Sequence, residues 1–135
     1  MNAMSMARGK PAFAGLLASP GHITPADVLY FRSEVFRDGV VSRTEAEAIF
    51  AMNDAIAHKC EEWTEFYLES LTEFVVQQAE PRGYVTTEIA EWLIANVSHD
   101  GRIAASEIEL LVKILDRSKH SPENLVGFAL TEVAR

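Results

Sequence analysis

Two segments of the chain combine carboxylates with a glycine in a spacing that suits a divalent cation. Residues 38–45 and 100–107 both read Asp-Gly, any residue, Val or Ile, any three residues, and Glu. The second half of an EF-hand calcium loop has this order, because its glycine makes a sharp turn and its last glutamate binds calcium through both oxygens. The pattern therefore predicts coordination of a hard cation by oxygen atoms.

The second of these loops has the better set of ligands. Upstream of Asp100, the side chains of Asn96 and Ser98 add two oxygen ligands at alternate positions, and Glu107 ends the loop. Two carboxylates and two neutral oxygens carry little ligand charge, which places the expected dissociation constant for calcium or magnesium near ~10⁻⁴–10⁻³ M. We predict a weak divalent-cation site at these four residues.

The first loop is the poorer candidate for the same chemistry. Asp38 and Glu45 are its acidic positions, but Phe36 falls where a ligand is needed and cannot coordinate a cation. A structural alternative applies to both loops, because an aspartate can close its own turn and a glutamate can complete a capping box. Ser42 favours that alternative in the first loop, whereas Ala104 offers no hydroxyl in the second.

The elements that must position these loops follow from an internal repeat. When residues 21–73 are aligned without gaps on residues 83–135, an offset of 62, twelve of the 53 pairs are identical. Chance matching at ordinary composition would give about three. The sequence therefore predicts a tandem duplication of one structural unit.

A short phrase within each repeat predicts where helices begin. Glycine, any residue, Ile or Val, and then Thr, Ser or Ala occurs at 21–24, 39–42, 83–86 and 101–104. Glycine permits the turn before a helix, the branched residue can pack on the first helical turn, and the last residue is the expected N-cap. Ser121-Pro122 predicts the start of the last helix in the same way as Thr24-Pro25.

These signals and the apolar periodicity predict an all-α fold, a bundle of six main helices in two three-helix halves. We expect a disordered tail at 1–10 and a single helical domain at 11–135, with repeat halves 21–73 and 83–135 joined by a hinge at 77–82. A short additional helix is expected to dock Phe13, Leu16 and Leu17. No segment alternates with period two, so no sheet is predicted. The predicted helices are 25–36, 43–57, 61–78, 87–97, 105–118 and 122–134.

Composition narrows the classes of function. Of the 135 residues, 48% are hydrophobic and 24% are charged, as in ordinary globular proteins. The net charge of −8 disfavours a nucleic-acid partner, which needs a basic face. The single cysteine cannot form an internal disulfide. The apolar runs are too short for membrane insertion, and we expect a cytoplasmic protein.

The doubled Asp-Gly phrase in an acidic, helical chain of this size resembles the TerB-like family, which is related to tellurite-resistance proteins. The resemblance covers most of residues 21–135. It implies that Asp38, Glu45, Asp100 and Glu107 are the acidic positions suspected of holding divalent cations. It also implies a role in stress response or membrane-linked assembly rather than established catalysis.

Two classes of function are compatible with this sequence. The first is a non-enzymatic interaction or scaffold module, in which a row of glutamates on the third predicted helix meets a basic protein partner. Homodimerisation through leftover apolar helix faces is compatible with either class. The alternative is a metal-dependent hydrolase or lyase, for which Asp100, Glu107 and His99 would share a deep pocket. The glutamates of the row are Glu61, Glu62, Glu65, Glu69 and Glu73.

Overall fold

The computed structural model describes residues 14–98, 101 and 103–134, and within them the long elements are all helices. The prediction of an all-α chain is confirmed. Two helices end in a π-helical segment, which the periodicity did not predict. The elements in chain order are β1 (His22–Ile23), α1 (Pro25–Tyr30, continued as a π segment Phe31–Val35), α2 (Arg43–Ala55), β2 (His58–Lys59), α3 (Glu61–Glu73, continued as a π segment Phe74–Gln78), α4 (Thr87–Val97), α5 (Ala105–Arg117) and α6 (Glu123–Val133).

Four helices begin where the repeated phrase predicts. Their N-caps are Thr24, Ser42, Thr86 and Ala104. Each of the three hydroxyl caps accepts a hydrogen bond from the backbone N–H three residues later, at 3.1–3.2 Å. The glycines that open the four phrases all have φ between +77° and +86°, a backbone region that L side chains rarely adopt. Local capping therefore sets these boundaries.

Two details of the helix starts were predicted wrongly. Val41 was expected to pack on the first turn of α2, but it is 51% exposed and Val40 is buried instead. The last helix starts one residue later than expected, with Pro122 as its N-cap, and the hydroxyl of Ser121 lies 2.7 Å from that of Ser118. Val40 is thus buried in place of Val41, and Pro122 is the N-cap in place of Ser121.

A short parallel pairing was not predicted. The two-residue strands β1 and β2 pair in parallel, with His22 opposite His58. An isolated parallel bridge joins Tyr84 to His120, which are the repeat-equivalent positions of that pair. Strands this short leave no alternation to detect, so the prediction of no sheet was wrong.

The chain divides into two compact units, residues 1–67 and 68–135, and the boundary falls inside α3. The core of the first unit is rich in aromatic rings. The ring of Phe31 lies edge-on to that of Trp63, with centroids 6.3 Å apart. The ring of Phe66 is tilted against that of Trp63, with centroids 5.6 Å apart. The core of the second unit is mainly aliphatic. Its fully buried large side chains are Leu71, Leu93, Leu110, Leu111, Ile114 and Leu125.

One buried polar contact joins α2 to α3 in the first unit. The indole Nε1 of Trp63 donates to Oδ1 of Asn53 at 3.0 Å, and both residues are buried. The hydrogen bond satisfies a donor and an acceptor that would otherwise be costly inside a core. The repeat-equivalent residues of the second unit are Leu115 and Leu125, so the polar pair is replaced there by an apolar pair.

The N-terminal predictions are only partly covered by the structure. The tail at 1–10 and Phe13 lie outside the described residues. A three-residue 3₁₀ turn, Ala14–Leu16, takes the place of the expected short helix, and Leu16 is 46% exposed. Among the described residues, no helix combines the length and apolar character needed to cross a membrane.

Candidate functional site

The two Asp-Gly loops share one backbone turn. In the first loop the N–H of Gly39 donates to the carbonyl of Phe36 at 2.9 Å, and in the second the N–H of Gly101 donates to Ser98 at 3.0 Å. The glycines have φ of +82° and +79°. Each turn connects the end of one helix to the N-cap of the next, so both loops are compact helix-to-helix connections.

Glu107 is the most enclosed of the predicted ligands. It is 4% exposed, and its Oε1 accepts a hydrogen bond from the backbone N–H of Ala104 at 2.8 Å. This is the carboxylate half of a capping box, and the methyl side chain of Ala104 cannot supply the other half. A carboxylate near a helix N-terminus is also favoured by the helix dipole. Glu107 therefore stabilises the start of α5 without any cation.

The other described residues of the second loop direct polar atoms to their own helix. The amide Nδ2 of Asn96 donates to the carbonyl of Trp92 at 2.9 Å, and Asn96 is buried. The hydroxyl of Ser98 donates to the carbonyl of Ile94 at 2.6 Å. Asp100 lies outside the described residues, as does His99. The structure thus describes three of the four predicted ligands.

In the first loop, Glu45 forms a variant of the expected capping bond. Its Oε1 accepts from the N–H of Val41 at 2.9 Å, one residue before the N-cap Ser42. The expected partner was the N–H of Ser42 itself. Asp38 is exposed, and the backbone bond of Gly39 closes the turn that Asp38 was expected to close. The hydrogen bond of Glu45 is consistent with the prediction, made from the presence of Ser42, that Glu45 caps the start of α2.

Within residues 14–98, 101 and 103–134, no three His, Cys, Asp or Glu side chains form a group that could hold a metal ion. The cation prediction for Asn96, Ser98, Asp100 and Glu107 includes only two carboxylates, of which Asp100 is not described, so this search does not test it. The weak cation site stays a prediction.

The cation prediction has a direct thermal test. Ligand binding to the folded state stabilises it, so millimolar calcium or magnesium should raise the melting temperature by a few degrees. Asp100→Asn with Glu107→Gln should abolish the increment, because an amide oxygen can still accept the Ala104 bond but carries no charge. The equivalent changes in the first loop, Asp38→Asn with Glu45→Gln, should leave it intact. A titration with calcium, magnesium and manganese that leaves the wild-type melting curve unchanged would disprove the site.

His58 and Lys59 follow the end of α2 and make different contacts. The ring of His58 stacks on that of His22, with centroids 4.6 Å apart and planes 13° from parallel. Lys59 complements the C-terminal dipole of α2, because its Nζ donates to the carbonyls of Asn53 and Ile56 at 2.9 and 2.6 Å. The signal for Lys59 was present in the sequence, since basic side chains are common just after a helix end.

The row of glutamates on α3 is a continuous exposed face. At 100° per residue, the five carboxylates span an arc of about 120° around the helix. All five are exposed, while Trp63 and Leu71 on the same helix are fully buried. The thirteen residues of α3 include no lysine or arginine that could offset this charge within the helix. We name this surface the acidic face; its residues are Glu61, Glu62, Glu65, Glu69 and Glu73.

Comparison with known proteins adds no assignment. No protein-family model, no curated protein and no solved structure matches the chain.

Proposed function

We propose that the chain is a non-enzymatic helical interaction module whose acidic face binds a basic segment of another protein in the cytoplasm. The observation that carries this proposal is the acidic face itself, five exposed carboxylates on one side of a helix that contains no basic residue. The net charge of −8 makes the surrounding field negative as well. Such a surface attracts cationic partners and repels nucleic acid.

A tandem duplication and membership of the TerB-like family belong to the same proposal. The duplication is supported by the equivalent turns at Gly39 and Gly101, and by the parallel pairing that recurs from His22–His58 to Tyr84–His120. The family resemblance is supported by the position of both Asp-Gly loops between two helices. In this proposal the capping carboxylates Glu45 and Glu107 serve stability first, and any cation that binds beside them does so weakly.

The acidic face has a direct binding test. A fluorescent lysine-rich peptide serves as the probe, and its affinity is measured by anisotropy at two salt concentrations. Changing the five glutamates to glutamine should weaken binding by about tenfold at low salt, because the local field attracts the peptide. The wild-type affinity should fall as salt screens exposed charges.

The matched control changes five exposed carboxylates elsewhere, so that both variants have the same net charge. The control residues are Glu80, Glu88, Glu91, Glu109 and Asp116, changed to glutamine or asparagine. If the control variant lost as much affinity for the peptide as the acidic-face variant, the affinity would depend on net charge alone. The proposal that the acidic face is the binding surface would then be wrong. Circular dichroism of both variants tests whether the helices are retained.

A further inference from the structure

Two exposed histidines of the first unit are held side by side by the backbone. His22 of β1 is the parallel partner of His58 of β2. The N–H of His58 donates to the carbonyl of Gly21 at 3.4 Å. Two residues later, the N–H of Cys60 donates to the carbonyl of the buried Ile23 at 3.3 Å. Main-chain pairing therefore fixes the place where the two imidazoles meet, while both side chains stay exposed.

The ring nitrogens of this pair have no bonding partner in the described part of the chain. The two rings stack on each other, and neither forms a hydrogen bond or an ion pair with another described side chain or backbone group. A neutral imidazole has one nitrogen with an unshared electron pair, and that nitrogen is the one that binds a metal ion. His22 and His58 therefore bring two nitrogen ligands to one exposed point.

The spacing of the two rings suits one ion shared by both. Zinc holds nitrogen ligands at about 2.0–2.1 Å in a tetrahedron, which puts two of them roughly 3.3 Å apart. In the stacked arrangement the planes are 13° from parallel, so each ring must turn about its Cβ–Cγ bond to aim a nitrogen at the shared ion. That torsion is broad for histidine, and at two exposed side chains the turn displaces only water. With ring centroids 4.6 Å apart, the turn brings one nitrogen of each ring to the required separation.

We propose that His22 and His58 together bind one divalent transition-metal ion of the class of zinc, nickel and copper. Imidazole is a preferred ligand of these ions, whereas calcium and magnesium prefer oxygen ligands. Water completes the coordination, which agrees with the absence of a metal-binding group of three His, Cys, Asp or Glu side chains among the described residues. The ion binds the folded chain, where β1 and β2 are paired, and so stabilises that pairing. Its ligands and its class differ from those of the hard-cation site predicted at the second Asp-Gly loop.

Isothermal titration calorimetry with zinc and matched ring substitutions tests the site. His22→Phe and His58→Phe each keep an aromatic ring that can stack but remove the nitrogen ligands. Loss of an outer-shell partner of a metal ligand typically costs about 10–100-fold in affinity, so loss of the ligand itself should weaken zinc binding by at least about tenfold. His120→Phe removes an exposed histidine of the second unit and should leave the affinity unchanged. In NMR spectra of the wild type, zinc should shift the imidazole signals of His22 and His58 but not those of His99 and His120.

The second unit allows the same pair to be built at another place. Tyr84 and His120 are joined by a parallel bridge and are both exposed, but only one of them is an imidazole. Tyr84→His should therefore create a second zinc site in the wild type and restore zinc binding to the His22→Phe chain. Tyr84→Phe is the matched control and should add no site. This expectation depends on the bridge alone and not on the proposed duplication.

Zinc binding that is unchanged in His22→Phe and His58→Phe would overturn the proposal, as would a wild type that binds no zinc at millimolar concentration. Two neighbouring groups are tested separately, the thiol of Cys60 and the carboxylates of Glu61 and Glu62. Cys60→Ser and the acidic-face variant should each still bind zinc. If either change abolished binding, a site made of two imidazoles and water would be wrong. If circular dichroism shows that a phenylalanine variant unfolds, His22→Gln or His58→Gln replaces it.

Discussion

Replacement of Asn53 by leucine should lower the free energy of unfolding by about 2 kcal/mol. The side chains have similar volumes, so the main effect is on hydrogen bonding. The indole N–H of the fully buried Trp63, which donates to Asn53 Oδ1 at 3.0 Å, would lose its acceptor without gaining water. Urea denaturation followed by circular dichroism measures the change.

A double-mutant cycle isolates this hydrogen bond. Trp63→Phe removes the donor and some volume, and by itself it should cost about 2–3 kcal/mol. Adding Asn53→Leu to Trp63→Phe should cost about 1–2 kcal/mol less than the same change in the wild type, because no donor is left unpaired. Additive costs would show that the bond contributes nothing specific to stability.

The second unit supplies a matched control for this prediction. The repeat aligns Leu115 and Leu125 with Asn53 and Trp63, so Leu115→Asn introduces a polar amide at a half-buried position that has no aligned indole donor. Leu125 is fully buried and has no hydrogen-bonding group. The change should destabilise the chain, and Leu125→Phe should not rescue it.

Replacement of Gly83 by alanine should destabilise the chain by about 2–3 kcal/mol. Gly83 has φ of +86°, where an L side chain is strained. An added Cβ would also lie 3.2 Å from Cδ of Lys119, whose backbone N–H donates to the Gly83 carbonyl at 2.6 Å. Thermal and urea denaturation report the loss.

Gly21 is the natural control because it is the repeat-equivalent of Gly83. Its φ is +77°, but a Cβ there would meet no atom within 4 Å. Gly21→Ala should therefore cost only the backbone strain, about 1–2 kcal/mol. In a Lys119→Ala background the cost of Gly83→Ala should approach that value. Equal costs at both glycines in the wild-type chain would show that the Lys119 contact adds nothing.

The sequence alone determined the features that depend on neighbouring residues. The N-caps Thr24, Ser42 and Thr86 and the positive φ of the phrase glycines follow from side chains within three or four positions of each other. The capping bond of Glu107 to Ala104 also joins near neighbours, but the sequence left it open beside a cation site because Ala104 has no hydroxyl. The two loops were therefore correctly placed between helices, although whether a cation binds there depends on Asp100, which the structure does not describe.

Only the tertiary structure decided the contacts between residues distant in sequence. His22 pairs with His58 across 36 positions, and neither two-residue strand has a periodicity that could predict the pairing. The exposure of Val41 instead of Val40 depends on which side of the turn faces the core. Leu68 and Leu130 are identical residues that the sequence repeat aligns, yet only Leu68 is buried. Capping acts within one helical turn, whereas burial depends on which other elements pack against a side chain.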